Sequence, residues 1–448
     1  MDQLLVKTLL GRIKGSPLDI TVVFPIHVTL FSSFAQQIRS LELKCRSSGH
    51  VQDLSEAISG PLPLLHTLEI DVRGYLSRGP DSLVAPILPF FGNATNLSRF
   101  VLHMSKFPSL RHFTFPNLTT LDFSTETEEF PVSQLLNFLE ASPRLQSIKI
   151  MIGADLFRED IPPGRVIVLP CVKTFSLEIA SYGPGCEVAT HISCPFAKQV
   201  EFTYLTRYAG NNVPEAVYPP PTAWNMIVHQ YAKGTVERVT LEMTVDEYSD
   251  ITCSITFGSS DRATLKLHYI HYADGKENEM EEISEERLPR IFSQAFQTIR
   301  DHPLLANVKH LRIRGGNLLT GNLELVTNAV GRLFGSMESL ENLTLGGCDL
   351  RPYLDAFLDT PLFPTAIQPT SFPTIKNLAI IDPVQLFHDD NIYAAAIVRL
   401  AKSQYTRGVS IERVELCTTA LPLVMDELAD FVNTVDLYDG TLSDEDEY

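Results

Sequence analysis

Cationic side chains are scarce in this sequence: 36 Lys and Arg stand against 54 Asp and Glu, for a formal net charge of −18. So acidic a chain repels phosphate backbones and anionic lipid surfaces, and no stretch supplies a local basic patch strong enough to overcome that field. Neither a nucleic-acid partner nor a membrane partner is expected. Long apolar runs are missing too: no stretch reaches the roughly 18 apolar residues of a membrane-spanning helix. The opening Met1–Lys7 has no basic segment leading into an apolar one, so no signal peptide is expected. Cysteine is sparse and unpatterned. The seven (Cys45, Cys171, Cys186, Cys194, Cys253, Cys348 and Cys417) contain no Cys-x-x-Cys. They read as reduced thiols of a cytoplasmic or nuclear protein. In that setting the glycosylation sequons at Asn93, Asn96, Asn117 and Asn342 are chance matches.

Catalytic signatures are absent as well. Neither Gly-x-Ser-x-Gly nor His-Glu-x-x-His occurs. Cys186, His191 and Cys194 offer three soft ligands without a fourth nearby, and read as a proline-flanked loop rather than a zinc site. His268 and His271, three apart on an expected strand, point to opposite faces. Asp389-Asp390 and Asp444–Glu447 lack the spacing of a calcium loop and read as solvated acidic surface. Gly315-Gly316 and Gly346-Gly347 follow expected strands without the Lys-Ser/Thr of a phosphate loop, and read as turns. The lone tryptophan, Trp224, reads as a helix anchor. No cofactor and no metal is implied, and the chain is not expected to be an enzyme.

What is present is a repeat. The 448 residues are 44% hydrophobic and 20% charged, an ordinary globular balance that excludes wholesale disorder. One six-residue pattern, apolar–x–x–apolar–x–apolar, organises them. It occurs at Ile38–Leu43, Leu65–Ile70, Leu97–Leu102, Leu118–Phe123, Leu145–Ile150 and Val172–Leu177. Ala197–Phe202, Val236–Leu241, Val308–Ile313, Leu340–Leu345, Ile375–Ile380 and Ile411–Leu416 continue it. Several early starts lie 25 to 32 residues apart, and the later ones 32, 35 and 36. Leucine-rich repeats have periods of roughly 20–29 residues, so the early blocks fit and the later ones are stretched.

The apolar–x–apolar core is a short strand whose two apolar side chains enter one interior. The next segment returns over that interior as a helix or loop. Val51–Ser59, Val84–Phe91, Val132–Ala141, Leu323–Phe334 and Asn391–Ser403 have helical periodicity. A proline often stands two residues before the first apolar position, as at Pro63, Pro116, Pro143, Pro170, Pro195 and Pro373, with Pro108 another of the series. It is expected to mark where helix yields to strand. The 72-residue gap between the starts at Val236 and Val308 is too long for one block. Within it Ile251–Phe257 and Ala263–Ile270 alternate around Gly258–Asp261, the pattern of a β-hairpin. A polar stretch, Asp274–Glu286, and a helix over Arg287–Arg300 are expected to follow.

The expected fold is therefore α/β: a leucine-rich-repeat-like solenoid, or horseshoe, with a parallel concave sheet, outer helices and loops, and a hairpin insertion near 251–270. Residues 1–30 are expected to form an N-terminal helix or cap segment. The solenoid takes 31–435, with the insertion at about 245–300, and 436–448 form an acidic, disordered tail.

Ser16-Pro17-Leu18-Asp19-Ile20, then Gln37–Leu43, open a series of Pro-x-Leu-x-x-Leu-x-Leu units such as Pro143–Ile150 and Pro373–Ile380. With the late hairpin, these resemble the basidiomycete-fungal family of F-box/leucine-rich-repeat-like proteins over nearly the whole chain. The resemblance implies repeats that hold a substrate protein, and an F-box that docks to the Skp-type adaptor of a cullin–RING ubiquitin ligase. The sequence departs from the family at that F-box. It opens where the motif would already have ended, and the one lookalike, Leu288–Phe292, lacks the expected acidic residue.

Side chains flanking the inward apolar pair are expected on the outer face of the strands. Glu42, Glu69, Asp71, Asp122 and Glu201 make the early blocks acidic there, while His310, Arg312 and Arg314 form a later basic spot. These eight residues are the candidate partner-binding set, for a protein or peptide of complementary charge. Two other functions compete: an enzyme with a loop-built site lacking a recognisable motif, and a structural solenoid without a dedicated partner.

Overall fold

A computed structural model of the chain describes residues 16–23, 34–45, 62–72, 94–104, 114–125, 129–153, 156–158, 164–180, 187–207, 227–228, 230–231, 236–245, 251–258, 264–272, 299, 302–315, 323–347, 353–354, 373–381, 390–417 and 422–438. Two units divide it, residues 1–205 and 206–448. The architecture is α/β, with large, mostly parallel sheets and few helices.

In the first unit the described strands are β1 (Leu18–Val23), β2 (Ile38–Cys45), β3 (Thr67–Val72), β4 (Arg99–Met104), β5 (Thr120–Thr125) and β6 (Glu129–Pro131). Helix α1 (Val132–Glu140) follows, then β7 (Ser147–Ile152), β8 (Leu156–Arg158), β9 (Ile167–Val168) and β10 (Thr174–Ala180). A short helix α2 (Glu187–Thr190) precedes β11 (Ile192–Ser193) and β12 (Gln199–Arg207). Strands β1, β2, β3, β4, β5, β7, β10 and β12 pair in that order, all parallel. Two short parallel pairs, β6–β8 and β9–β11, stand apart from this sheet.

The repeat explains the sheet. The apolar positions of the blocks, for example Leu145, Ile148 and Ile150, are buried, with Ala197 half-buried, and the residues between them are mostly more exposed. Phe100, Phe115 and Phe138 meet edge-on or tilted inside this core, at centroid distances of 5.6 to 6.5 Å. Such aromatic contacts add about 0.5–1.5 kcal/mol beyond area burial.

Each strand is entered through a tight turn. The N–H groups of Leu65, Leu97, Leu118, Leu145, Val172 and Ala197 donate to the carbonyl three residues earlier, at 3.0–3.4 Å. Pro63, Pro116, Pro143, Pro170 and Pro195 fill the second position of such turns, where their fixed φ matches the backbone required. The prolines thus act mainly as turn residues. Pro143 follows helix α1, whereas Pro170 and Pro195 follow the short strands β9 and β11; the segments 46–61 and 105–113 that lead to Pro63 and Pro116 lie outside the described residues. Past the turn, one carbonyl per block accepts two N–H groups from the next block. The carbonyls of His66, Ser98, Thr119, Gln146 and Lys173 do so at 2.7–3.1 Å, which locks the parallel register.

The second unit opens with β13 (Arg238–Val245), β14 (Ile251–Gly258) and β15 (Thr264–Tyr272), an antiparallel meander. The expected hairpin is β14–β15, and it continues the sheet of β13. On its other side β13 pairs in parallel with β16 (His310–Gly315). Helix α3 (Leu323–Gly335) leads to β17 (Asn342–Gly346) and β18 (Asn377–Ile381), and α4 (Asp390–Thr406) to β19 (Ile411–Cys417). Helix α5 (Pro422–Leu428) leads to β20 (Val432–Tyr438). Strands β16 to β20 pair in order, all parallel.

Two expected boundaries shift. Residues 18–23, expected within a helix or cap segment, form strand β1, with Leu18, Ile20 and Val22 opposite Ile38, Leu41 and Leu43. A register shift after Leu18 removes one residue from the six-residue pattern, which hides it. At the other end, Val432-Asn433-Thr434-Val435-Asp436-Leu437 carries the full pattern, so the expected tail at 436–448 begins inside a strand. The expected helices at Val51–Ser59 and Val84–Phe91, and the segments 1–15, 274–286 and 439–448, lie outside the described residues. So do Pro108, Trp224, Cys186 and the F-box lookalike. Of the helix expected over 287–300, only Ile299 is described.

Candidate interaction faces

In a parallel sheet, residues at matching register line up across strands about 4.8 Å apart, so each outward position becomes a row. In the first unit one row runs Thr21, Glu42, Glu69, Val101, Asp122, Lys149, Ser176, Glu201. The next runs Lys44, Asp71, His103, Ser124, Met151, Glu178, Thr203. The five carboxylates expected at the early site thus fall in two adjacent rows of one face, four in the first and Asp71 in the second.

Local contacts tune them. Lys44 Nζ lies 2.7 Å from Glu42 Oε1, and Thr21 Oγ1 donates to Glu42 Oε2 at 2.8 Å. Those two hydrogen bonds, Lys44 first, hold the Glu42 carboxyl below the usual carboxylate range. His103 Nε2 sits 3.3 Å from Asp122 Oδ1. Glu178 behaves oppositely: burial pushes its carboxyl up, Lys149 pulls it down, and the neighbouring Glu201 pushes it up further. The sequence reading missed Glu178 and the buried Val101 in the acid row. Glu178 was findable, because it follows the last apolar residue of its block just as Asp71 does.

The second unit presents a different face. One row runs Arg238, His310, Asn342, Asn377, Arg413, Thr434, and the next Thr240, Arg312, Thr344, Ala379, Glu415, Asp436. A third holds Glu242, Arg314, Gly346 and Ile381. His310, Arg312 and Arg314 therefore stand on one face of β16. Burial first, then Arg238, pushes the His310 imidazole below its ordinary value. Arg314 Nη1 is 4.0 Å from Glu242 Oε1. Asn377 Nδ2 donates to Asn342 Oδ1 at 2.6 Å, and Arg413 bridges Glu415 and Asp436 at 2.9 and 2.5 Å. Gly346 permits a close approach, since a Cβ there would lie 3.1 Å from the Ile381 carbonyl oxygen.

A rim separates these faces from the turns. Its side chains in the second unit alternate in sign from block to block: Glu237, Lys309, Glu341, Lys376, Glu412. Lys309 lies 3.7 Å from Glu237, and Lys376 2.7 Å from Glu341.

The remaining candidates fall into ordinary roles. His191 Nδ1 is 2.7 Å from the Arg165 carbonyl oxygen and Cys194 is buried. His268 lies opposite Ser254 in the meander. Gly315 and Gly347 have φ of +81° and +58°, the left-handed conformation of turn glycines. Among the described residues, no three His, Cys, Asp or Glu side chains gather as a metal site, and no helix is long and apolar enough to cross a membrane. No protein-family model matches the chain, and no curated protein matches it either.

Proposed function

We propose that the chain is a protein-interaction scaffold: a leucine-rich-repeat-like solenoid whose outward strand faces bind partner proteins and which performs no chemistry of its own. The observation that carries this reading is the continuity of the rows. Charged side chains recur in register on the outward rows, mostly carboxylates in the first unit and arginines on β13 and β16 in the second, on a backbone locked by paired hydrogen bonds. Rigidly presented charge of one sign favours a partner of the other and rejects wrong ones. The reading resembles the substrate-recognition repeats of F-box ubiquitin-ligase receptors, and a cullin-ligase adaptor is the partner that resemblance adds. A cytoplasmic or nuclear location is supported by Cys171 and Cys253, which form no disulfide.

The test is affinity purification of tagged protein from its native cells, with mass spectrometry, beside an R312E/R314E variant and a rim control, K173E. Proteins retained by wild type and K173E but lost from R312E/R314E support the scaffold. Recovery of the adaptor as well would make it a ligase receptor. Identical recovery from all three would set the reading aside.

A further inference from the structure

We propose that the free edge of β20 takes up an extended, basic segment of a partner protein as an added strand. The proposal goes beyond the scaffold reading, because it uses the backbone at the end of the sheet and none of the outward rows.

The backbone comes first. Strand β20 is last in the pairing order and, among the described residues, pairs on one side only, with β19. Register fixes which of its groups are left over. In β19 it is Arg413 that turns to the previous strand, where its N–H donates to the Lys376 carbonyl at 3.1 Å. Thr434 stands to Arg413 as Arg413 stands to Asn377. Thr434 and Asp436 therefore turn their N–H and C=O groups to β19, and Val435 and Leu437 turn theirs to the far side. Such a row is a template for another strand.

The core opens at the same place. Leu345, Ile380 and Leu416 form one inward row and are buried, whereas Leu437, next in that row, is 48% exposed. Val435 continues the row of the buried Leu378 and Val414, and is only half-buried. The strand at the other end of the pairing order differs, since Leu18 and Val22 of β1 are buried. Aliphatic side chains at alternate positions of an added strand extend the rows of Val435 and Leu437 by one more member.

Charge selects the occupant. From Thr418 to Tyr438 the chain carries Asp426, Glu427, Asp430 and Asp436 and no Lys, Arg or His. Asp436 is held by Arg413 of β19 at 2.5 Å. Asp426, Glu427 and Asp430, on α5 and the turn into β20, are exposed. A basic segment is drawn to this end of the sheet and an acidic one is repelled. The same carboxylates disfavour a second copy of the chain, which brings its own, and the chain's acidic run Asp444–Glu447. The occupant that fits is a partner segment alternating aliphatic and basic residues, held by main-chain hydrogen bonds and chosen by its side chains.

The test is fluorescence anisotropy of the full chain with a labelled peptide of alternating valine and lysine. Its valine–glutamate counterpart, and a version N-methylated at every second residue, are the comparisons. The basic peptide is expected to bind, less tightly as salt rises, and the other two roughly tenfold more weakly or worse. Val435→Pro removes one N–H from the free edge, a position where proline is tolerated, and is expected to weaken binding roughly tenfold. Leu437→Ser lowers it in the same direction through the side chain, should the proline impair folding by circular dichroism. D426N/E427Q/D430N is expected to narrow the margin between basic and acidic peptides. Equal binding of the acidic or the N-methylated peptide, or binding unchanged by both Val435→Pro and Leu437→Ser, would overturn the proposal. A concentration-dependent dimer in sedimentation velocity that Val435→Pro abolishes would give the edge to a second copy and overturn a partner as occupant. The scaffold reading is judged separately, by co-purification with R312E/R314E, so either can fail alone.

Discussion

The two units use one building block in two ways. In the first, β2 through β12 follow a short period, most blocks are entered through a proline turn, and the rim between turn and strand carries no carboxylate: Arg39, His66, Ser98, Thr119, Gln146, Lys173, Lys198. In the second, helices of 13 and 17 residues, α3 and α4, stretch the period, and the rim alternates Glu and Lys. The carbonyl that accepts two N–H groups from the next block is common to both. Backbone pairing sets the register in either unit, while turn chemistry, rim charge and outward charge are free to diverge. That freedom lets one architecture carry an acidic face in the first unit and, in the second, a mixed one whose cations gather on β13 and β16.

The largest expected effect breaks the first unit's core. Phe100→Ala removes a ring from the Phe100–Phe115–Phe138 cluster, at about 3–5 kcal/mol, and Leu343→Ala in the second unit costs about 2–5 kcal/mol. Hydrogen exchange should show protection falling first in β4 and β5 for the one and in β17 and β18 for the other. A uniform fall in both variants would mean that the units melt as one.

Turn chemistry comes next in size. Pro143→Ala should lose about 0.4–1 kcal/mol, chiefly by freeing the unfolded chain. Met337–Leu340 has the same turn after α3, with N–H of Leu340 donating to Met337 at 3.1 Å, and Glu338 stands where the proline would be. Glu338→Pro should therefore gain a similar amount, read as a rise in Tm. A fall would show that the two turns differ in backbone.

Titration sharpens the contrast between faces. The Glu178 carboxyl is raised in the folded chain, so the native state holds its proton more tightly than the unfolded one. Stability is then lost as pH rises from the unfolded value, near 4.3, through the folded one. Glu178→Gln should raise Tm at neutral pH, with the gain disappearing below the unfolded glutamate value. A gain independent of pH would point to packing instead.

The smallest effect concerns the rim. Lys376→Glu places three carboxylates in succession at Glu341, position 376 and Glu412, and should lower Tm slightly. Exposed pairs contribute little and are screened, so the loss should fade as salt shortens the Debye length. The same reversal at Lys173, whose neighbour Gln146 is neutral, should change Tm less at low salt.

Much of the fold was legible because the block pairs a strand period with burial at fixed positions. The helices α1, α3 and α4 and the β14–β15 hairpin were visible from periodicity and turn residues. Strand β1 was not, since its bulge breaks the template. Strand β20 carries the template but lies only 21 residues beyond the preceding start, against 36 for the block before it. The pairs β6–β8 and β9–β11, two or three residues long, are too short to show a period. For the site, alternation gave the outward direction of Glu42 or Arg312. It gives the same direction to Glu178, but that Glu178 neighbours Glu201 depends on β10 pairing with β12.

Among the described residues, seven lysines stand on the faces or the rim and Lys402 on helix α4, which allows a direct test of where partners sit. Lys44, Lys149 and Lys266 are exposed on the outward faces, whereas Lys173, Lys198, Lys309 and Lys376 stand on the rim. Amine-reactive cross-linking of the tagged chain in native extract, read by mass spectrometry, samples both sets in one measurement. The account predicts intermolecular cross-links concentrated on the face lysines. Cross-links confined to the rim lysines would contradict it.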